Sequence, residues 1–441
     1  MTAEIGILNK TAVALAADSA VTVQQPKGQK IYNSANKLFA LSKYHPVGIM
    51  LFGSASFMGV PWETVIKVYR TGLKKKCFKT LKEYADDFIC FVERSGSSLI
   101  PEQQQDQYVK THVWMYFQLI KDEIKKRLEQ IVNKQSPVDE TKIKELAVEI
   151  VNKHFGNTEK YEFLKSVSEE KKAKFLGKYN ASIDEIIQNV FEKFPFSEGD
   201  KDKLKTIAMG LFYRNGNFPK STSGIVIAGF GDEEIFPSIY AYQFECIIDG
   251  VLKCIEEKQK SGAIDFDCEA LIVPFAQSEM VHTFIEGIDP ALVQFSISYL
   301  NEIFSKYPAS LLEEIAIRDG IDKKALLEKL QGIGQTVLKD FIEKSQQYRQ
   351  EVHISPIVNV VSILPKDELA SMAEALVNLT SFKRRITMDA ETVGGPIDVA
   401  VISKGDGFVW IKRKHYFKPE LNPHFLKNYF REGGNNEIEQ E

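Results

Sequence analysis

Cysteine is scarce in this chain, and its few cysteines have no ordered spacing. The 441 residues include Cys77, Cys90, Cys246, Cys254 and Cys268, without a Cys-x-x-Cys pair or a regular spacing to histidine. Structural zinc sites and disulfide frameworks both depend on such spacing. The sequence therefore predicts neither kind of site, and we expect reduced cysteines in a folded core.

An excess of positive charge and a long apolar run are also missing. The chain has 56 basic and 60 acidic residues, a net charge of −4, whereas nucleic-acid binders usually show a strong basic excess. No apolar run reaches the roughly 18 residues of a membrane helix, and no secretory signal precedes the first apolar segment. We therefore expect no nucleic-acid partner, no membrane partner and a cytoplasmic protein. The 44% hydrophobic and 26% charged residues are typical of a globular chain.

The first residues carry unusual chemistry. Initiator methionine is normally removed before a small residue, so we expect the mature chain to start at Thr2. The hydroxyl of an N-terminal threonine can act as a nucleophile, and its own α-amine, with a pKa of about 7.7 to 8.0, can act as the base. No histidine is needed for this chemistry. Taken alone, Thr2 is better explained as simply the residue that follows the start codon.

Four short motifs in order extend this pattern. They are Thr2-x-x-Ile5-Gly6-Ile7, Ala16-Ala17-Asp18-Ser19, Asn36-Lys37-Leu38 and Phe52-Gly53-Ser54-Ala55. Together they resemble the catalytic β-subunits of the proteasome and their bacterial relatives, the N-terminal-nucleophile threonine peptidases. The resemblance implies an α+β fold, a four-layer αββα sandwich. It assigns Thr2 as the nucleophile, Asp18 as the acidic partner, Lys37 as the active-site lysine and Gly53 as the oxyanion-hole glycine.

The physical chemistry of these residue types agrees with those roles. A lysine near the N-terminal amine is expected to lower the pKa of that amine and to stabilise a developing alkoxide. Asp18 ends an apolar strand, where an unpaired carboxylate would be costly, so we expect it to pair with Lys37. Gly53 allows close approach of its backbone N–H to an oxyanion. The structural alternative is a turn at Asp18, a solvated Lys37 and a strand-to-helix break at Gly53.

Periodicity divides the chain into core segments and insertions. Short apolar runs predict hairpins over residues 4–18 and 37–52, and small residues from Gly53 onward are expected to open a helix that runs to about Arg70. The resulting division is core over 1–75, 221–275 and 351–420, helical insertions over 76–220 and 276–350, and a tail over 421–441. In the second insertion we expect helices over 291–305, 310–319 and 323–347, the last of them interrupted at Gly332-Ile333-Gly334.

The closing core segment holds further candidates. The resembled family has an acid, a hydroxyl residue and a Gly-Gly pair after its last long helix, and these support the amine of the nucleophile. Here Asp389 or Glu391 would be the acid and Thr392 the hydroxyl residue, although Val393 stands where the family usually has the hydroxyl. The alternative is that Gly394-Gly395-Pro396 is only a turn that leads into a strand.

The sequence thus predicts hydrolysis of an amide, with a peptide as the expected substrate, through an acyl-enzyme on Thr2. Thr22, Ser54 and Ala55 are expected to bind an extended peptide by strand addition. No metal and no organic cofactor enters this mechanism, and the resemblance implies a homo-oligomer, which could be a ring. Two alternatives stay open: hydrolysis of a small amide, and an inactive proteasome-like binding or assembly protein. Retention of Met1 would indicate the inactive protein.

Overall fold

A computed structural model describes residues 3–25, 28–132, 139–192, 194, 196–216, 222–314, 322–387, 393–415 and 417–424. The chain divides into two compact units. Unit 1 contains residues 1–38 and 264–441, and unit 2 contains residues 39–263. Each unit has its own antiparallel sheet and its own helices.

The regular elements are numbered in chain order. The strands are β1 (Ala3–Asn9), β2 (Ala12–Ala17), β3 (Val21–Gln25), β4 (Gly28–Tyr32), β5 (Leu38–Ala40), β6 (Val47–Gly53), β7 (Ser56–Phe57), β8 (Val60–Pro61), β9 (Ser223–Gly229), β10 (Ser238–Ile248), β11 (Val251–Glu256), β12 (Gly262–Ala263), β13 (Ala270–Ala276), β14 (Asp398–Ser403) and β15 (Gly407–Lys412). The helices are α1 (Trp62–Leu73), α2 (Leu81–Arg94), α3 (Gly96–Leu99), α4 (Glu102–Val132), α5 (Glu140–Glu159), α6 (Glu169–Phe191), α7 (Glu198–Tyr213), α8 (Glu279–Glu286), α9 (Pro290–Glu314), α10 (Lys323–Arg349), α11 (Ser355–Ile363) and α12 (Lys366–Ile386). A π-helical segment, Gln350–Ile354, joins α10 to α11.

The sheet of unit 1 has the strand order β13-β1-β2-β14-β15. Every residue of β1 and β2 is buried, as their apolar composition predicts. In the turn between them, the Asn9 side-chain oxygen accepts the N–H groups of Thr11 and Ala12, and its amide nitrogen donates to the carbonyl oxygens of Val361 and Leu364 at 3.0 and 2.9 Å. Helices α11 and α12 thereby pack against the face of the sheet that carries Ile5 and Ile7. Since side chains alternate along a strand, Glu4 belongs to the opposite face.

Unit 1 also contains an antiparallel hairpin of the long helices α9 and α10. Two expectations for this region are wrong, because α9 continues through Pro308 and α10 continues through Gly332 and Gly334. Gly334 is buried at the contact with α9, where an added Cβ would lie 2.9 Å from the Cβ of Phe304. Gly334 therefore allows α10 to pack closely against α9 and is not part of a turn.

The sheet of unit 2 has the order β11-β10-β9-β6-β5, with β12 paired to β10. Its helices α1 to α7 contribute a core rich in large aromatic side chains. Trp62, Phe88 and Phe244 lie within ring-centroid distances of 5.1 to 6.5 Å, with Trp62 and Phe244 edge to face at 5.1 Å. Aromatic pairs with this geometry stabilise a core by more than their buried apolar area accounts for.

The expected helix start at Gly53 is wrong. The chain instead forms the small hairpin β7–β8 after β6, and helix α1 begins at Trp62. Gly53, Met58 and Gly59 have φ angles of +74°, +49° and +89°. These left-handed conformations interrupt a right-handed helix, and Pro61 then fits directly before its first residue.

The expected α+β class is confirmed, since antiparallel sheets and helices occur in separate stretches of the chain. Strand β11 was not predicted, because Lys253 and Glu256 interrupt its apolar pattern. Within the described residues, the helices are too short or too polar for any of them to cross a lipid bilayer.

Candidate active site

Asp18 follows the last residue of β2 and is 1% exposed. Its carboxylate accepts hydrogen bonds from three backbone N–H groups, those of Ala3 (3.1 Å), Ala20 (3.3 Å) and Gly394 (2.9 Å). In addition, the Asp18 N–H donates to the carbonyl of Ala3 at 3.1 Å. Because β1 and β2 are antiparallel neighbours, the end of β2 lies beside the start of β1. The fold thus places the buried carboxylate of Asp18 beside the backbone N–H of Ala3.

Lys37 directly precedes β5 and is 3% exposed. Its ammonium donates to the Oδ1 of Asp18, so the contact predicted between these two residues is present. The loop that carries Lys37 is tied to the same place by the N–H of Ala35, which donates to the carbonyl of Ser19 at 3.1 Å. A buried ion pair of this kind needs both partners, since a single buried charge is costly.

Glu4 is the third charged residue of a cluster with Asp18 and Lys37, and the sequence analysis did not predict it. It is 2% exposed, and its Oε1 lies 3.2 Å from the Lys37 ammonium nitrogen. The available signal was an acidic residue within an otherwise apolar strand, since Ala3, Ile5 and Ile7 surround it. Because side chains alternate along a strand, the sequence alone predicts which face of β1 carries Glu4. Its partner depended on how the loop before β5 folds back.

The segment before β14 reaches the same cluster. The Gly394 N–H binds Asp18, while the N–H of Ser19 donates to the Gly394 carbonyl at 3.1 Å and the Ser19 hydroxyl donates to the Pro396 carbonyl. This turn is therefore part of the packing around Asp18. The candidates Asp389, Glu391 and Thr392 come just before it in the chain but lie outside the described residues.

Thr2 also lies outside the described residues. Its position in the chain is nevertheless informative, because the N–H of Ala3 belongs to the peptide bond that joins Thr2 to Ala3. That N–H is the group that donates to Asp18 at 3.1 Å. Lys37, Asp18 and Glu4 are thus gathered at the residue that follows Thr2.

Gly53 is the last residue of β6 in unit 2, and Ser54 and Ala55 follow it directly. The Ser54 N–H donates to the Thr222 carbonyl at 3.1 Å, and its hydroxyl donates to the Ser56 carbonyl at 2.9 Å. The Ala55 carbonyl accepts the N–H of Trp62 at 3.1 Å. Thr22 lies on β3, with its backbone opposite Ile31 on β4, and belongs to unit 1.

Gly53 should not tolerate a side chain. Its φ is +74°, and an added Cβ would lie 2.6 Å from the Thr222 carbonyl oxygen. We therefore expect Gly53→Ala to lower the free energy of unfolding by about 1–3 kcal/mol, as measured by urea denaturation. Gly72→Ala is the matched control, because nothing lies within 4 Å of its added Cβ within helix α1. The control should be neutral or stabilising by up to ~1 kcal/mol, and an equal loss in both variants would contradict the prediction.

A second buried ion pair lies in unit 2. Lys253 is fully buried, and its ammonium lies 2.6 Å from the Glu245 carboxylate, 2.5 Å from the Leu211 carbonyl and 2.8 Å from the Gly216 carbonyl. Three oxygens of the described residues thus lie within hydrogen-bond distance of this ammonium. Both partners stand on adjacent strands of the sheet edge, β10 and β11. We therefore assign this pair to the packing of β11 against the end of α7.

Among the described residues, no group of three or more His, Cys, Asp and Glu side chains is arranged to hold a metal ion. Comparison with protein-family profiles gives no match for this chain. Comparison with curated proteins gives no match either. The proteasome-like resemblance and the roles of the site residues therefore stay predictions from the sequence motifs.

Proposed function

We propose that the chain is a proteasome-like threonine-type amide hydrolase that acts through Thr2 after removal of Met1. The observation that carries this proposal is the contact of Asp18 with both the Ala3 N–H and the Lys37 ammonium. A buried cation and its carboxylate partner are thereby held at the residue next to the proposed nucleophile. The proposal includes an αββα arrangement of the two sheets and their helices.

The free-energy cost of burying three charged side chains together supports a functional role for them. Three charged side chains, Glu4, Asp18 and Lys37, are each at most 3% exposed. Buried ion pairs contribute little net stability compared with apolar packing, so their presence needs another reason. Buried charges gathered beside a potential nucleophile are characteristic of catalytic sites. Three backbone N–H groups fix the Asp18 carboxylate, which leaves Lys37 with a well-defined anchor.

In the proposed reaction, the Thr2 hydroxyl oxygen attacks the carbonyl carbon of the substrate amide, and its proton passes to the Thr2 α-amine. The Gly53 N–H is the proposed donor to the resulting oxyanion. The C–N bond then breaks, and the protonated Thr2 amine returns the proton to the leaving nitrogen. This leaves an ester on Thr2. Water, deprotonated by the same amine, hydrolyses that ester and restores the hydroxyl.

We propose a peptide as the substrate, held in extended form by the segments of Thr22 and of Ser54-Ala55. Strand addition provides affinity through the main chain and is independent of any one side chain. Acylating probes of increasing size would test this point. Faster labelling by peptide-length probes supports a peptidase, whereas labelling by short probes alone supports hydrolysis of a small amide.

The maturation of the chain provides the first test. The purified protein should lack Met1, because threonine at position 2 permits its removal, and the α-amine of Thr2 must be free to act as a base. Intact mass spectrometry measures this directly. Thr2→Lys is the matched control, since a long side chain at position 2 should leave Met1 in place. A wild-type chain that retains Met1 in the same host would exclude the catalytic proposal and favour a binding or assembly protein.

A further inference from the structure

A cavity of about 470 Å³ lies between the helices of the second insertion, within unit 1. Its walls come from the start of α9, the end of α10, the turn after α8 and the π-helical segment Gln350–Ile354. Sites for small molecules usually have volumes of about 300–1,000 Å³ and are often found between helices. The cavity therefore has the size and the position of a small-molecule site.

The apolar part of the lining comes from both long helices and from the residue after the α8 turn. Its members are Ile288, Val293, Ile297, Phe341 and Ile342. Ile297 lies about one turn before Asn301, whose side chain accepts a hydrogen bond from Gln335 of α10 at 2.9 Å. Ile297 therefore lies on the side of α9 that is turned toward α10. An apolar ligand body has a wall on both helices.

Arg349, the last residue of α10, supplies a charged donor to the same cavity. Its Nη1 donates to the Glu286 carboxylate at 2.8 Å, and its Nε donates to the Ser345 carbonyl at 3.4 Å. Among the described residues, no acceptor lies within hydrogen-bond distance of its Nη2, which carries two N–H groups. A guanidinium group keeps its charge at every accessible pH and matches the geometry of a carboxylate.

Glu286 is the single carboxylate among the described residues that line the cavity, and both of its oxygens already have partners. The Arg349 guanidinium binds one oxygen, and the other lies 3.2 Å from the Nδ1 of His282. A cationic ligand would have to compete with these two groups. The free donor on Arg349 therefore favours a ligand with an anionic head.

His353 brings a second polar group to the lining. Its ring lies against Gly287, where φ is +71° and an added Cβ would be 2.7 Å from the ring. His353 belongs to the π-helical segment, which follows Arg349 directly. Single π-helical turns are rare and occur frequently at functional sites. This backbone feature is an observation separate from the cavity, and it points to the same place.

We propose that this cavity binds a small amphipathic carboxylate, that is, a monocarboxylic acid with an aromatic or aliphatic body. The carboxylate accepts hydrogen bonds from the Arg349 Nη2 and from an N–H of the His353 ring. The apolar body packs between Ile297 and Phe341. The inference is independent of the proposed hydrolase activity, and it gives the second helical insertion a function in ligand binding.

Isothermal titration calorimetry with two probes of the same shape tests the proposal. The full chain should bind 4-phenylbutyrate at least about 10-fold more tightly than the neutral 4-phenylbutanamide, because hydrogen bonds to a charged group are the stronger ones. Equal affinity for the two probes would overturn the assignment of an anionic ligand. Absence of 4-phenylbutyrate binding at millimolar concentration would overturn the site itself.

Arg349→Gln should weaken binding of 4-phenylbutyrate about 10-fold and leave that of the amide unchanged. Arg385→Gln is the matched control, because Arg385 is an exposed arginine of α12 in the same unit. It should change neither affinity. The double variant Glu286→Gln/Arg349→Gln should bind 4-phenylbutyrate as weakly as Arg349→Gln. Full recovery there would assign the loss to repulsion by Glu286 and would overturn the role of Arg349.

Two further variants test the position of the ligand. Ile297→Trp should fill the apolar part of the cavity and abolish binding of both probes. His353→Phe keeps a ring against Gly287 but has no N–H, so it should weaken binding of the acid alone. Circular dichroism establishes that each variant keeps the helix content of the wild type. Unchanged binding in folded Ile297→Trp would place the ligand elsewhere and overturn the proposal.

Discussion

Thr2→Ala should abolish covalent labelling of the chain by an electrophile that acylates N-terminal threonine, a loss of at least about 10³-fold in rate. The hydroxyl oxygen is the only atom of the proposed mechanism that bonds to the substrate, so no neighbouring group can replace it. Alanine at position 2 still permits removal of Met1. The measurement is the mass shift of the intact protein after incubation with the probe, followed by peptide mapping of the modified residue.

Two further variants sharpen this result. Thr2→Ser keeps a nucleophilic hydroxyl and should retain labelling. Lys37→Met removes the cation that is proposed to lower the pKa of the amine, and it should abolish labelling in protein that is still folded. Thr11→Ala, in the β1–β2 turn, is the control for loss of a threonine elsewhere in unit 1. Labelling that persists in Thr2→Ala would move the reactive group to another residue. Labelling that persists in folded Lys37→Met would leave Lys37 with a structural role only.

Lys37→Met should also lower the free energy of unfolding by about 3–5 kcal/mol. The variant removes the Lys37 ammonium from the buried carboxylates of Asp18 and Glu4, whose side chains are at most 2% exposed. The loss is therefore expected to be shared by the two carboxylates that the ammonium contacts. Urea denaturation of the full chain measures this loss.

The double variant Glu4→Gln/Lys37→Met tests whether buried negative charge causes the loss of stability in Lys37→Met. Neutralising Glu4 removes one of the two buried negative charges that contact Lys37, so the double variant should recover more than ~1 kcal/mol relative to Lys37→Met alone. Lys43→Met is the matched control, because Lys43 is exposed and its replacement should change stability by no more than about 0.5 kcal/mol. A cost below 1 kcal/mol for Lys37→Met, or no recovery in the double variant, would contradict the assignment of a coupled buried cluster.

Local sequence was enough to predict the strands of the candidate site and one of its contacts. The apolar runs on either side of Asn9 predict the β1–β2 hairpin, and a carboxylate at the end of a fully buried strand requires a partner. Lys37 was the expected partner, and the two residues are in contact. These predictions succeeded because strand periodicity and the cost of a buried charge are properties of a short segment. The catalytic roles of Thr2, Asp18 and Lys37 stay predictions.

Only the tertiary structure decided which other residues join the charged cluster and what surrounds Lys253. Glu4 joins the cluster and Gly394 binds Asp18 because loops distant in sequence return to the end of β2. Lys253 can lie inside β11 because Glu245 and two carbonyl groups reach it.

Helix α9 likewise runs through Pro308, and Gly334 stays helical, because packing between α9 and α10 outweighs the local preferences of proline and glycine. In each case the stabilising partner is far away in the chain. Local sequence therefore determined the β1–β2 hairpin and the need of Asp18 for a partner, whereas the helix boundaries and the remaining members of the charged cluster required the folded chain.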